Sequence, residues 1–184
     1  MKSYIPRLLW LDDELDSDRA TYVLVWRRWL QQANDKGWCR LTMCNCIEKL
    51  AGHLQTGEPE FDLLMFDVML KRELSPNFGP IGFAEERVRR LEAGMQIVGL
   101  MRNKSFADER PAWLARYAGK PVVLLSSTPG LQNMIGTHVD GNRRDGLHCL
   151  VKSLNTDIPG VTRPDANFER SFEDIIKQLA APAA

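Results

Sequence analysis

The chain has 184 residues, enough for one domain with a buried core, and we expect a single domain over residues 1–184. Lysine plus arginine and aspartate plus glutamate both number 24, so no bulk charge would attract nucleic acid or an anionic membrane. No apolar run approaches the roughly 20 residues that span a bilayer, and acids follow the start too early for a secretory signal. We therefore expect a cytoplasmic protein without direct nucleic-acid contact or membrane insertion.

The first predicted element is a strand over residues 7–11, whose apolar run ends abruptly in Asp12, Asp13 and Glu14. This pattern is typical of a buried parallel strand that delivers acids to its carboxyl end. It indicates a polar site at that end of the strand.

Apolar residues at near-helical spacing then predict a long amphipathic helix over residues 15–33, with Gly37 as its stop. Trp26 and Trp29 are expected to pack in the core. A weakly alternating edge strand is predicted over residues 40–44.

Asn45 follows as the expected cap of a second helix. The four cysteines form no CxxC pair and have no histidine at zinc spacing, so we expect reduced thiols. They are Cys39, Cys44, Cys46 and Cys149. Cys44 and Cys46 are close in sequence, but small buried filling explains them better than a redox pair.

Residues 61–70, FDLLMFDVML, form a short run that is apolar on both alternate faces and is interrupted near its end by Asp67. Such a run predicts a central strand of a parallel sheet covered on both sides. Ligand crevices of open parallel sheets form outside the carboxyl ends of the strands, so Asp67 is a candidate site residue. The alternative is an acid that only caps the turn after the strand.

The stretch over residues 71–93 contains prolines, a glycine and many charges, and we interpret it as one long insertion after the third strand. It is either a functional lid or binding loop, or a solvated connection. An apolar helix is predicted over residues 95–101 after Gly94. A short helix is predicted within residues 103–120, either laid on the surface or only filling the core.

The remaining strands also end in polar side chains. The β-branched run after Pro121 ends in hydroxyls that include Ser126, and an apolar strand over residues 147–151 delivers Lys152. A final amphipathic helix is predicted over residues 168–179, before a tail over residues 180–184.

Strands that alternate with helices predict a doubly wound α/β fold, because crossovers between parallel strands are right-handed. We expect a five-stranded parallel sheet of order 2-1-3-4-5 with helices on both faces, a flavodoxin-like three-layer sandwich. At its switch point Asp12, Asp13 and Asp67 would converge.

Three adjacent carboxylates repel one another unless a hard cation neutralises them, and oxygen ligands of this kind suit Mg²⁺. Magnesium commonly joins carboxylates to phosphate oxygens, so a phosphoryl group is the natural ligand. Lys152 and Ser126 would bind its oxygens, and Asp67 would be the nucleophile that forms an aspartyl phosphate.

The segments LLWLDDE, FDLLMFDVML, VVLLSS and CLVK, in this order, resemble the signature segments of response-regulator receiver domains of the CheY-like superfamily. The resemblance covers nearly the whole chain and implies a role for each matching residue. Asp12, Asp13, Asp67 and the carbonyl of Met69 match the metal ligands, Asp67 the phosphoacceptor, Ser126 the switch hydroxyl, and Lys152 the phosphoryl-binding and catalytic lysine.

The sequence also departs from the receiver pattern. Receivers usually carry methionine and proline where this chain has Leu70 and Lys71. Ser153 replaces the proline that usually follows the lysine, and a cis bond before it would cost about 3 kcal/mol. Cys149 stands at the position of the aromatic switch residue, so the coupling between hydroxyl and aromatic ring that signals phosphorylation in receivers is not expected in its usual form. The insertion at residues 71–93 is an alternative route for signalling.

The resemblance implies a stand-alone receiver, not an enzyme, that accepts a phosphoryl group from a histidine kinase or phosphotransfer protein and signals to a downstream protein target. One alternative is a receiver-like interaction module that works without phosphorylation. Another is an aspartate-nucleophile phosphatase. That mechanism needs an acid two residues after the first, where Met69 follows Asp67, although residues 12–14 offer such a pair. A homodimer also stays open.

Overall fold

The computed structural model describes residues 4–17, 21–68, 70, 93–102, 112–126, 146–152, 154–155, 163–164 and 166–180. Its strands are β1 (Arg7–Leu11), β2 (Arg40–Cys44), β3 (Leu63–Asp67), β4 (Val122–Ser126), β5 (Leu147–Val151), β6 (Leu154–Asn155) and β7 (Arg163–Pro164). Its helices are α1 (Thr21–Asp35), α2 (Ile47–Thr56), α3 (Ala93–Met101), α4 (Ala112–Ala115) and α5 (Ala166–Ala180).

The first five strands form one parallel sheet in the order β2-β1-β3-β4-β5. This confirms the predicted fold class and strand order. From β1 the chain adds β2 on one side and then β3, β4 and β5 on the other, so the strand order reverses between β1 and β3. These two strands are direct neighbours, and the crevice of the switch point lies between their carboxyl ends.

Side chains that alternate along the strands fill two separate cores, which places helices on both faces of the sheet. On one face Leu64 and Phe66 pack with α2, α3 and α4. On the other face Leu63 and Met65 pack with α1 and α5. All five residues of β3 are buried, as expected for the central strand.

The expected core and thiol roles agree with the structure. Trp26 is fully buried, and Trp29 packs edge-on against Phe172 with ring centroids 5.2 Å apart. The four cysteines are free thiols, and Cys44 is fully buried. No helix within the described ranges has both the length and the apolar character needed to cross a bilayer.

The predicted start of the first helix was wrong. Residues 13–16 form turns, in which the amide of Leu15 donates to the carbonyl of Asp12, and described helical structure begins at Thr21. The side chain of Leu15 nevertheless packs in the core with α1. Gly37 is confirmed as the stop, with a φ of 73°.

Asn45 was predicted to cap α2, and this was also wrong. The N-cap is Cys46, which has extended backbone and makes no side-chain capping bond. The side-chain amide of Asn45 instead donates to the carboxylate of Asp16, in the loop after β1.

Two short elements and several boundaries differ from the sequence prediction. β6 and β7 pair as a small antiparallel ladder that was not predicted. Ala180, expected in the tail, is the last residue of α5. The predicted insertion at residues 71–93 lies outside the described residues except for Ala93, which begins α3.

Candidate functional site at the carboxyl edge of the sheet

Backbone hydrogen bonds hold the carboxyl ends of the strands together just beyond the regular ladders. The amide of Asp12 donates to the carbonyl of Cys44 at 3.0 Å, and the amide of Lys152 donates to the carbonyl of Ser126 at 2.7 Å. The amide of Val68, directly after Asp67, donates to the carbonyl of Leu125 at 2.9 Å. The sheet itself therefore places the predicted polar residues on one side, where the carboxyl ends of the strands lie.

Asp12, Asp13 and Asp67 form a compact acidic cluster at this edge. One carboxylate oxygen from each lies within 4.8 Å of the others. The exposed fraction is 0% for Asp12, 8% for Asp13 and 5% for Asp67. Buried carboxylates this close need a compensating cation, since both burial and mutual repulsion disfavour their charged forms.

Lys152 supplies a positive charge inside the cluster. Its Nζ lies 2.6 Å from Oδ2 of Asp12 and 2.9 Å from Oδ1 of Asp67. Only 6% of its side chain is exposed. The ammonium group thus bridges the acid that follows β1 and the acid that ends β3.

Burial raises the pKa of Asp67 to about 6, and Asp12 and Asp13 add to this effect while Lys152 opposes it. Burial lowers the pKa of Lys152, but attraction to Asp67 and Asp12 outweighs burial, so that its pKa lies above the ordinary value. The site therefore combines an acid that titrates near neutrality with a lysine that stays charged.

Two further contacts near the cluster fix its backbone, and sequence reasoning did not identify them. The other oxygen of Asp12, Oδ1, accepts a hydrogen bond from the amide of Glu14 at 3.0 Å. Gly94, near the start of α3, lies against the backbone of Asp67, where a Cβ would be 2.3 Å from the carbonyl oxygen. The sequence shows only that a glycine follows the long insertion; its close contact with Asp67 is visible only in the structure.

The donor set fits a magnesium ion. Asp12, Asp13 and Asp67 offer hard carboxylate oxygens, which is the chemistry that Mg²⁺ prefers. The carbonyl of Met69, expected as a further ligand, lies outside the described residues.

The other predicted site residues take different positions. Ser126 ends β4 and is 1% exposed, so it shares the edge with the cluster. Cys149 lies within β5, is half-buried and packs against the core that contains α2, α3 and α4. Leu70 is buried, whereas Lys71 and Ser153 lie outside the described residues.

Comparison with known proteins finds a likeness of fold. No protein-family model matches the chain, and no curated protein matches its sequence. The receiver domain of the Francisella response regulator 1452 aligns with 12% identity and a TM-score of 0.51, over 95% of this chain and 96% of that one. The chain has the receiver-domain fold.

A second receiver-domain structure also aligns along nearly its whole length. It is the response regulator receiver domain protein (CheY-like) from Methanospirillum hungatei JF-1, with 11% identity and a TM-score of 0.48, over 96% of this chain and 97% of that one. Within the receiver-domain fold, the cluster of Asp12, Asp13, Asp67 and Lys152 occupies the switch point of the sheet.

Proposed function

We propose that the chain is a response-regulator receiver that accepts a phosphoryl group on Asp67 in a Mg²⁺-dependent reaction and signals through protein contacts. The observation that carries this proposal is the buried cluster of Asp12, Asp13 and Asp67, with Lys152 bonded to two of its acids, at the switch point of a receiver-type sheet. Three buried carboxylates this close together would be costly without cations to offset their charge.

The metal ligands in this proposal are Asp12, Asp13 and Asp67. When bound, Mg²⁺ offsets the negative charge of the carboxylates and of the phosphoryl oxygens that approach them. A metal role explains why three acids lie so close together, because a bound cation relieves the repulsion between their carboxylates.

Asp67 is the nucleophile. One of its carboxylate oxygens forms a bond to phosphorus while the bond from phosphorus to the donor breaks, and the electron pair of that bond leaves with the donor. With a pKa of about 6, the carboxylate form of Asp67 predominates at neutral pH. The donor is a phosphohistidine of a histidine kinase or phosphotransfer protein, or a small acyl phosphate.

Lys152 and Ser126 stabilise the transferred group. Lys152 Nζ is already 2.9 Å from Oδ1 of Asp67, so a short movement brings its charge to a phosphoryl oxygen. Ser126 ends the neighbouring strand, β4, and its hydroxyl binds another oxygen. Repositioning of these two side chains changes the surface at this edge, which a downstream protein then recognises.

The test is incubation with acetyl phosphate and Mg²⁺, followed by intact-mass analysis. We expect a single phosphoryl adduct on the wild-type protein, its loss in Asp67→Asn, and its retention in Asp174→Asn, an exposed acid on α5. Omission of Mg²⁺ should abolish the adduct. An adduct of equal yield on Asp67→Asn would contradict the proposal.

Magnesium binding is tested separately by calorimetry and thermal unfolding. We expect Mg²⁺ to raise the melting temperature, because a ligand that binds only the folded state stabilises it by about 1.4 kcal/mol per tenfold excess over Kd. Sodium chloride at equal ionic strength is the control. Absence of both Mg²⁺ binding and the adduct would favour a phosphorylation-independent interaction module.

A further inference from the structure

The loop that carries the acid pair leaves β1 and turns within a few residues. The amide of Leu15 donates to the carbonyl of Asp12 at 3.3 Å, and the amide of Ser17 donates to the carbonyl of Glu14 at 2.8 Å. Both bonds are local, and the one that closes the turn on Asp12 is long. Contacts from other elements therefore matter for the shape of this loop, and through it for where Asp12 and Asp13 point.

Arg27, a half-buried residue of α1, holds one point of the loop. Its Nη1 donates to the carbonyl oxygen of Leu15 at 2.5 Å. A charged donor makes this bond stronger than one between neutral groups. Since the same peptide segment closes the turn on Asp12, Arg27 fixes the end of that turn.

Asn45 holds a second point. Its Nδ2 donates to the carboxylate of Asp16, which is exposed and lies one residue beyond Leu15. Asn45 directly follows Cys44, whose carbonyl accepts the amide of Asp12. The end of β2 thus contacts the acid loop at its first residue, Asp12, and the residue after β2 contacts it near its end, at Asp16.

We propose that Arg27 and Asn45 are positioning residues, which hold the loop over residues 12–17 in the shape that lets Asp12 and Asp13 bind Mg²⁺ together with Asp67. The inference rests on the proposed function for its metal. Neither residue is among the carboxylates of the cluster. Arg27 acts through the backbone carbonyl of Leu15, and Asn45 acts through the side chain of Asp16.

Position and charge make opposite predictions for Arg27. If the guanidinium acted only through its positive charge, its removal would reduce repulsion of the cation and tighten Mg²⁺ binding. If it positions the loop, its removal weakens Mg²⁺ binding, because the loop then holds Asp12 and Asp13 less firmly. For comparison, loss of a group that holds a metal ligand directly typically costs about tenfold or more in affinity. The sign of the change separates the two.

The experiment measures the Mg²⁺ Kd by calorimetry for the wild type, Arg27→Met, Arg27→Lys and Asn45→Ala. Arg28→Met is the matched control, since Arg28 is the next residue of α1 and is exposed. We expect Kd to rise about tenfold in Arg27→Met, to rise in Asn45→Ala, to recover partly in Arg27→Lys and to stay unchanged in Arg28→Met. An unchanged or lower Kd in Arg27→Met would overturn the inference.

Amide hydrogen exchange of the metal-free protein gives a second readout. Amides of residues 13–17 should exchange faster in Arg27→Met and Asn45→Ala than in the wild type, while those of β3 keep their protection and show that the variants fold. Equal exchange in the loop would overturn the inference. A wild type that does not bind Mg²⁺ would refute the proposed function instead, and loop exchange would still decide the role of Arg27.

Discussion

Gly94 lies so close to Asp67 that a Cβ at position 94 would stand 2.3 Å from the carbonyl oxygen of Asp67 and 3.2 Å from the Cα of Val68. The first turn of α3 therefore packs directly on the backbone of the candidate phosphoacceptor. Movement of that backbone would therefore displace α3, and a side chain at position 94 would displace the backbone of Asp67.

Gly94→Ala should therefore destabilise the protein by about 1–3 kcal/mol, the usual range for overpacking, because the contact is with backbone that cannot move aside. Gly52→Ala is the matched control. A Cβ at Gly52 in α2 meets nothing within 4 Å, so this change should stabilise the helix by up to about 1 kcal/mol. Urea denaturation measures both, and equal effects would refute the close approach.

Lys152→Met should lower the free energy of unfolding at pH 7 by about 3 kcal/mol, because it leaves two buried carboxylates without their cation. The loss should be smaller at pH 5, where Asp67 takes up a proton. Lys177→Met is the control, since Lys177 is 69% exposed and its pairing with Glu173 contributes roughly 0.5 kcal/mol or less. Similar losses for the two variants would contradict the buried bridge.

The raised pKa of Asp67 predicts a pH dependence of stability. Its folded value of about 6 lies above the ordinary 3.8, so the folded state binds more protons in between. The stability from this group is complete below about pH 4 and is lost as pH rises through about 6.

Asp67→Asn removes that titration. Denaturation at pH 4 to pH 7 should therefore show the variant gaining on the wild type by on the order of 2 kcal/mol as pH rises. Asp174→Asn is the control variant, since its carboxylate is exposed on α5. A difference between Asp67→Asn and the wild type that stays constant with pH would count against the raised pKa.

The cysteines should differ in reactivity according to burial. Burial raises the pKa of Cys39 to about 11 and that of Cys44 to about 12, so little thiolate forms at pH 8. Cys46 and Cys149 are half-buried. Iodoacetamide with peptide mapping should find Cys46 and Cys149 modified first in the folded protein, and early modification of Cys39 or Cys44 would contradict this order.

The sheet and the acid cluster were predictable because both follow from strand ends. A short buried apolar run predicts a strand, and a parallel sheet brings the carboxyl ends of its strands to the same side, which predicts that Asp12, Asp13 and Asp67 converge. The ion pairs of Lys152 with Asp12 and Asp67 were not predicted. Alternation of strands and helices predicts the doubly wound class but not the order of the strands; the order 2-1-3-4-5 was expected because it is the one common to flavodoxin-like folds, and the structure confirms it.

The local details were not predictable, since tertiary contacts decided them. Leu15 was predicted to start the first helix, yet it lies in a turn, where its carbonyl accepts a hydrogen bond from Arg27. Asn45 is a residue type that often caps helices, but its side-chain amide donates to the carboxylate of Asp16, which is 29 positions away in sequence. β6 and β7 have two residues each, which is too short for any periodicity.

The most direct test of the account is to trap the phosphorylated residue. Sodium borohydride reduces an acyl phosphate to an alcohol, so protein treated with acetyl phosphate and Mg²⁺ and then with borohydride should contain homoserine at position 67, found by peptide mass spectrometry. We predict homoserine there in the wild type, at a yield that falls with Mg²⁺ removal. Homoserine at another acid, or none under conditions in which Mg²⁺ is bound, would contradict the role of Asp67.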